Sequence, residues 1–175
     1  MEIDLADLRK MHPRLPEDLA LVMTGRAALS LQKNGHGSPV AIRLDLEQAA
    51  SEGKLAWPTS DPVQMDQHDN KRLTEDGAEA VTLALAHRAY GWRIVRRMQQ
   101  GESADWLLEE ANEEVCSRIA LEVSGVARGS IASRLAEKLE QVSRVEDEDV
   151  DQQWVGVVGF EEPVAALQSS KAVQT

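Results

Sequence analysis

Apolar positions along the chain change their period several times, and each change marks an element. Residues 1–14 carry Ile3, Leu5 and Leu8 in a short amphipathic lead-in that His12-Pro13 stops. Leu15, Leu19, Val22, Met23 and Ala27 then recur at helical spacing. They follow a Pro16-Glu17-Asp18 start, where proline is tolerated and acids are favoured by the helix dipole. Asn34-Gly35 is either the C-cap of this helix or a hairpin turn, and the helix is the preferred reading. Strict alternation comes next: Ile42, Leu44 and Leu46 interleave with Arg43, Asp45 and Glu47, which predicts a half-buried strand. Residues 51–74, with Gly53, Pro58, Pro62 and the polar run SDPVQMDQHDNKR, lose all period. They predict a long loop, either a flexible connection or a functional flap.

Thr74-Glu75-Asp76 has the chemistry of an N-cap followed by first-turn acids. The segment Ala78 to Ala89 is so apolar that its helix must be largely buried, and Tyr90-Gly91 ends it. Three strands are predicted in quick succession, at Trp92–Met98, Asp105–Glu110 and Arg118–Ser124. Gln99-Gln100-Gly101-Glu102 and Asn112-Glu113-Glu114 turn one into the next, and connections this short imply antiparallel pairing. In the third strand Arg118, Ala120, Glu122 and Ser124 share one face, with Ile119, Leu121 and Val123 on the other. Ser130 caps a further helix whose buried stripe is Ile131, Leu135, Leu139 and Val142. After the acidic run at 146–151, predicted to be a solvated loop, the nearly continuous apolar run WVGVVGF (154–160) predicts a central strand covered on both faces. Beyond Pro163 the pattern fades, which predicts a frayed tail.

The resulting fold class is α/β (α+β) with a mixed sheet. Its boundaries are an N-terminal α–β segment (1–50), a loop or linker (51–74), a main core (75–165) and a tail (166–175). The chain's 175 residues suit about one domain by the ~100–200-residue prior. No apolar run approaches the ~18–20 residues that a membrane helix needs. The acidic N-terminus MEIDLADLRK lacks the apolar stretch of a signal peptide, so a cytoplasmic address is the default expectation. One cysteine, Cys116, excludes an internal disulfide and a cysteine-rich zinc site, and its place after acids in a turn argues against a nucleophilic thiol. The net charge of −11 disfavours unaided binding of polyanions. A basic patch at Arg93, Arg96 and Arg97, with Arg88 upstream, is the candidate contact for DNA or RNA, unless these arginines are simply the wet side of a strand.

Candidate chemistry concentrates between Gly101 and Gly129. Asp105 opens the second strand of the series and Glu122 lies near the end of the third. Hard divalent cations take carboxylate oxygens placed together, so two acids at neighbouring strand ends are a candidate metal pair. His68, between Asp66 and Asp69, is a lesser candidate in a segment that otherwise reads as solvated loop. Trp92, Trp106 and Trp154 read as core or sheet-covering residues rather than base-stacking platforms. No Ser-His-Asp order, glycine-rich phosphate loop or zinc spacing is present.

The order read from Thr74 is helix, three strands, helix, strand. With Asp105 on the second strand and Glu122-Val123-Ser124 on the third, it resembles the PD-(D/E)xK nuclease-like superfamily over about residues 74–160. On that resemblance Ala104-Asp105 stands for the PD pair and Glu122-Val123-Ser124 for (D/E)xK. Asp105 and Glu122 are then expected to bind Mg²⁺, with Glu79 as a further acid near the metal. Ala104 in place of proline affects only the turn. Ser124 in place of lysine removes a positive charge that phosphodiester hydrolysis needs. Some branches of the superfamily carry that lysine on the following helix, where Lys138 stands here with Gln141 three residues on. The expected catalytic set is therefore Lys138, Gln141 and Ser124, and weak or absent catalysis is expected of the isolated chain.

Three functions remain open on the sequence. One is a metal-dependent nuclease or nuclease-like DNA-processing protein. Another is a non-catalytic subunit of the same fold, for instance in a bacterial defence system. The third is an unrelated acidic interaction protein with a protein partner. For the carboxylates, Asp105 capping a turn or pairing with Arg118 or Arg128, and Glu122 pairing with an arginine across the sheet, are the structural alternatives. Strand edges left open make a homodimer an expectation.

Overall fold

The computed structural model describes residues 1–47, 49–59, 69–99, 104–111, 116–143 and 150–170. Among them, eight strands form one mixed sheet and four α-helices pack on it. The strands are β1 (Glu2–Asp4), β2 (Val40–Leu46), β3 (Ala49–Ala56), β4 (Arg93–Arg97), β5 (Trp106–Ala111), β6 (Cys116–Val126), β7 (Gln152–Gly159) and β8 (Val164–Ser169). The helices are α1 (Leu8–Met11), α2 (Glu17–Lys33), α3 (Asn70–Tyr90) and α4 (Ile131–Val142). Sheet order is β1-β3-β2-β8-β7-β6-β5-β4. The class is thus α+β, and the order α3-β4-β5-β6-α4-β7 follows the sequence reading.

Each helix ends where its chemistry dictates. Helix α2 starts after Pro16 with Glu17 and Asp18 in its first turn, and stops at Asn34. The Asn34 amide donates to the Ser30 carbonyl at 2.8 Å, and Gly35 takes the left-handed φ of 82°. The Asn34-Gly35 pair is therefore a helix end and not a hairpin. Val22, placed on the buried stripe by its spacing, is 44% exposed, because that stripe is narrower than the period implies. Helix α3 begins four residues before Thr74: Asp69 caps it through a 2.9 Å bond from the Lys71 N–H, and Gly91 closes it.

Two faces of the sheet are covered differently. Strand β7 alternates so that Trp154 and Val158 join the core beneath α2 and α3, while Val155 and Val157 pack with Leu135 and Val142 of α4. Strand β6 divides likewise, with Ile119, Leu121 and Val123 towards α3. A close approach explains the small residues of α3: a side chain at Gly77 would press on the Ala27 backbone of α2.

Several boundaries differ from those read in the sequence. The segment 1–50 is continuous with the main body, since β2 pairs in parallel with β8. Residues 51–74 are not one loop: β3 covers their start and α3 their end. Strand β3 shows no alternation because only Leu55 in it is buried. The 166–175 tail is not frayed from its start, because β8 runs to Ser169 between β2 and β7, with Ala165 to Leu167 buried. The short apolar stretch Val164-Ala165-Ala166-Leu167 carries too few residues to announce a strand, and partners far along the chain stabilise it. His68 and Asp66, the turns at 100–102 and 112–114, and most of the acidic run at 146–151 lie outside the described residues. No helix among the described residues is long and apolar enough to cross a membrane.

Candidate active site

The register of β5 on β6 brings Asp105 and Glu122 together. Trp106 faces Leu121 in the ladder, so the residue before Trp106 comes level with the residue after Leu121. The Asp105 N–H donates to the Leu121 carbonyl at 3.1 Å, and Asp105 Oδ2 accepts the Val123 N–H at 2.8 Å. Asp105 is half-buried and Glu122 only 7% exposed. Burial raises the pKa of Asp105, opposed by the Val123 N–H and by the charges of Lys138 and Arg97. Burial also raises Glu122, and the neighbouring Asp105 charge raises it further.

Helix α4 supplies the countercharge. Its apolar stripe of Ile131, Leu135, Leu139 and Val142 fixes the rotation of the helix on the sheet. The residues one position before three of these, Arg134, Lys138 and Gln141, then fall at the edge of the contact. Lys138 Nζ donates to Glu122 Oε1 at 2.6 Å and to Gln141 Oε1 at 3.0 Å. Arg134 Nε donates to Ser124 Oγ at 2.7 Å, and its Nη1 donates to both oxygens of Glu137 at 3.0 Å. The Ser124 hydroxyl therefore accepts from an arginine. Arg134 escapes the sequence reading, although its spacing of four from Lys138 marks the same face.

Glu79 stands apart from this pair. It is 6% exposed on α3, where Arg97 Nη2 donates to its Oε1 at 2.7 Å and Trp106 Nε1 donates to its Oε2 at 3.2 Å. Burial lifts its carboxyl to about 7, with Arg97 opposing and the Asp105 charge adding to the rise. Arg97 also lies 5.1 Å above the Trp106 ring. Arg97 thus also bonds to Glu79 and covers Trp106, while Arg93, Arg96 and Arg97 are all exposed along β4. Trp106 and Trp154 are core residues, and Trp92 stacks on Tyr90.

The structural alternatives for the acids take a different form from those expected. Glu122 pairs with a helical lysine, and among the described residues no arginine pairs with it across the sheet. The Arg118 backbone N–H donates to Asp151 Oδ2 at 2.7 Å, and the Arg128 side chain lies 4.0 Å from Glu161. Among the described residues, no three His, Cys, Asp or Glu side chains are grouped as a ready metal cage. The donor set open to a cation is the Asp105–Glu122 pair, with Glu79 turned to Arg97. Such a set suits Mg²⁺, which takes one or two carboxylates and keeps waters for its remaining positions. No family model, curated protein or solved structure matches the chain.

Proposed function

We propose that Asp105, Glu122 and Lys138 form the centre of a nuclease-like domain that hydrolyses phosphodiesters with a divalent cation, Mg²⁺ by its donor set. The observation carrying this reading is the position of Lys138. A helix-borne ammonium sits on the buried acid of β6, beside a second carboxylate at the start of β5. Positive charge absent from Ser124 is thereby returned to the site from α4.

A cation bound by Asp105 and Glu122 would polarise a phosphoryl oxygen and lower the pKa of a bound water. The remaining work falls to side chains of the chain itself. Lys138 offsets the negative charge that builds on the phosphate, and Gln141 holds its ammonium in place. The Val123 N–H orients Asp105. Ser124 anchors Arg134, adding a second positive group one helical turn from Lys138. Turnover is slow because a chain of net charge −11 repels its polyanionic substrate.

The test uses single- and double-stranded DNA and RNA with Mg²⁺ or Mn²⁺. Metal-dependent cleavage should fall on the order of a hundredfold or more in Asp105→Ala and in Lys138→Ala. A metal-induced thermal shift should vanish in Asp105→Ala. If neither Asp105→Ala nor Glu122→Ala alters the metal response, the reading is wrong. A metal response without cleavage of any nucleic acid would identify the alternative, a non-catalytic binding subunit. That alternative is favoured by one contact: an oxygen of Glu122 is already taken by Lys138.

A further inference from the structure

Glu79 is restrained through both of its carboxylate oxygens. Arg97 Nη2 donates to Oε1 at 2.7 Å, and Trp106 Nε1 donates to Oε2 at 3.2 Å. The two donors stand at facing positions of β4 and β5, where Arg97 pairs with Trp106 in the ladder. The Arg97 guanidinium also lies over the Trp106 ring, so each donor helps to fix the other. Trp106 directly follows Asp105 in the chain. Met98, directly after Arg97, donates its N–H to the Asp105 carbonyl at 2.9 Å. One corner of the sheet therefore seats Asp105 and restrains Glu79.

This restraint does little for the fold. Taking a carboxylate out of water is costly, and the arginine that compensates Glu79 is itself half-exposed. Groups kept at a cost to stability are the ones on which function tends to rest. The charge of Asp105 acts on Glu79, and the charge of Arg97 acts on Asp105, so the three groups lie within electrostatic reach of one another. Freed from its two donors, Glu79 would be a third carboxylate beside Asp105 and Glu122. That number matters to a cation. Mg²⁺ is bound through one or two carboxylates and keeps several waters. Ca²⁺ takes about 6–8 oxygens in flexible geometry, and its affinity follows the count of charged ligands.

We propose that Arg97 and Trp106 set the cation specificity of the site by holding Glu79 out of it, which leaves two carboxylates and favours Mg²⁺ over Ca²⁺. The proposal rests on the reading of Asp105 and Glu122 as a cation-binding pair. It extends that reading to residues that act through Glu79 and touch neither the cation nor the reacting atoms.

The test is calorimetric titration of the full chain at pH 8 with Mg²⁺ alone and with Ca²⁺ alone, in the absence of nucleic acid. Arg97→Gln should raise Ca²⁺ affinity by about tenfold and Mg²⁺ affinity by less, so the preference for Mg²⁺ narrows or reverses. Glu79→Gln alone should leave both affinities unchanged, and in Arg97→Gln/Glu79→Gln the gain should disappear. Trp106→Phe, which removes only the Oε2 donor, should move the ratio in the same direction by a smaller factor. It carries the test if thermal unfolding without cation shows that Arg97→Gln is not folded. A parent that binds Mg²⁺, with the same ratio in the folded variants, would overturn the proposal and leave the carboxylate pair standing as a cation site. A gain that persists in the double variant would overturn it too, because the gain would then come from the Arg97 charge on Asp105. So would weaker binding in Glu79→Gln alone, which would make Glu79 a ligand already. A parent that binds neither cation would overturn this proposal together with the function it rests on.

Discussion

Replacing Glu79 by glutamine should make this protein more stable at alkaline pH. Glu79 is almost wholly buried, and its carboxyl is lifted from 4.5 to about 7 by that burial. An acid whose pKa is raised on folding binds more protons in the folded than in the unfolded chain between the two values. Its contribution is therefore most favourable below pH 4.5, declines as pH rises through 7, and is a full penalty above that. A lift from 4.5 to about 7 corresponds to a penalty of about 3 kcal/mol at pH 8.5. Glutamine has the same shape, so its carbonyl can still accept the Trp106 Nε1 donor. Arg97, which loses a charged partner, is 48% exposed and can turn to water.

The assay is urea unfolding of the parent and Glu79→Gln at pH 5 and pH 8.5, followed by tryptophan fluorescence. The variant should gain up to about 3 kcal/mol at pH 8.5, equivalent to a rise of roughly 6–12 °C in Tm for a chain of this size. The gain should shrink to about 1 kcal/mol or less at pH 5. Asp105 and Glu122 are present in both proteins, so their own titrations largely cancel in the difference. If Glu79→Gln is less stable than the parent at pH 8.5, the Arg97 pair outweighs burial and the reasoning fails.

Other parts of the fold give separate tests. His12 is fully buried, with its Nδ1 accepting the Ile94 N–H at 3.2 Å and its Nε2 facing the Leu83 carbonyl at 3.0 Å. Burial lowers its pKa to about 4, so about 3 kcal/mol of stability, complete above pH 6.5, should be lost as pH falls to 4. His12→Leu should remove most of that acid-side slope in a pH series of urea midpoints. A methyl group at Gly125 would collide with the carbonyl of Thr74, so Gly125→Ala should destabilise by about 1–3 kcal/mol in the same assay. Leu167→Asp, which buries a carboxylate in β8, should cost more than about 3 kcal/mol by circular dichroism melting; a negligible effect would return that segment to a frayed tail.

What the chain discloses by its own pattern is what local packing decides. Alternation in β2, the alanine-rich run of α3 and the stripe of α4 each reflect one face meeting one neighbour, so period alone reveals them. Strands β3 and β8 do not behave in that way. Leu55 is the one buried position of β3, and β8 pairs with β2, whose residues lie some 120 positions earlier. The site divides on the same line. Lys138 and Gln141 are legible because they flank an apolar stripe, and Arg134 carries the same signal. Glu79 meeting Arg97 and Trp106 is not legible, because it depends on how the hairpin of β4 and β5 sits beside α3.

Counting charge at the centre leads to a last consequence. Arg97 is bonded to Glu79 and acts on Asp105 only through its charge, which leaves Lys138 as the cation bonded to the pair. Two carboxylates thus share one directly bonded ammonium. An inert ion pair would hold the pKa of its acid down, yet Glu122 is raised with Lys138 only 2.6 Å away. Burial and Asp105 thus prevail over the lysine, and the cluster retains a proton more readily than free carboxylates do. A divalent cation binding there would compete with protons for the same oxygens. Mg²⁺ affinity should consequently rise with pH, and the binding heat should depend on the ionisation enthalpy of the buffer. An affinity that stays flat from pH 6 to pH 8.5, with equal heats in PIPES and Tris, would mean that Lys138 already neutralises the pair and that no cation is called for.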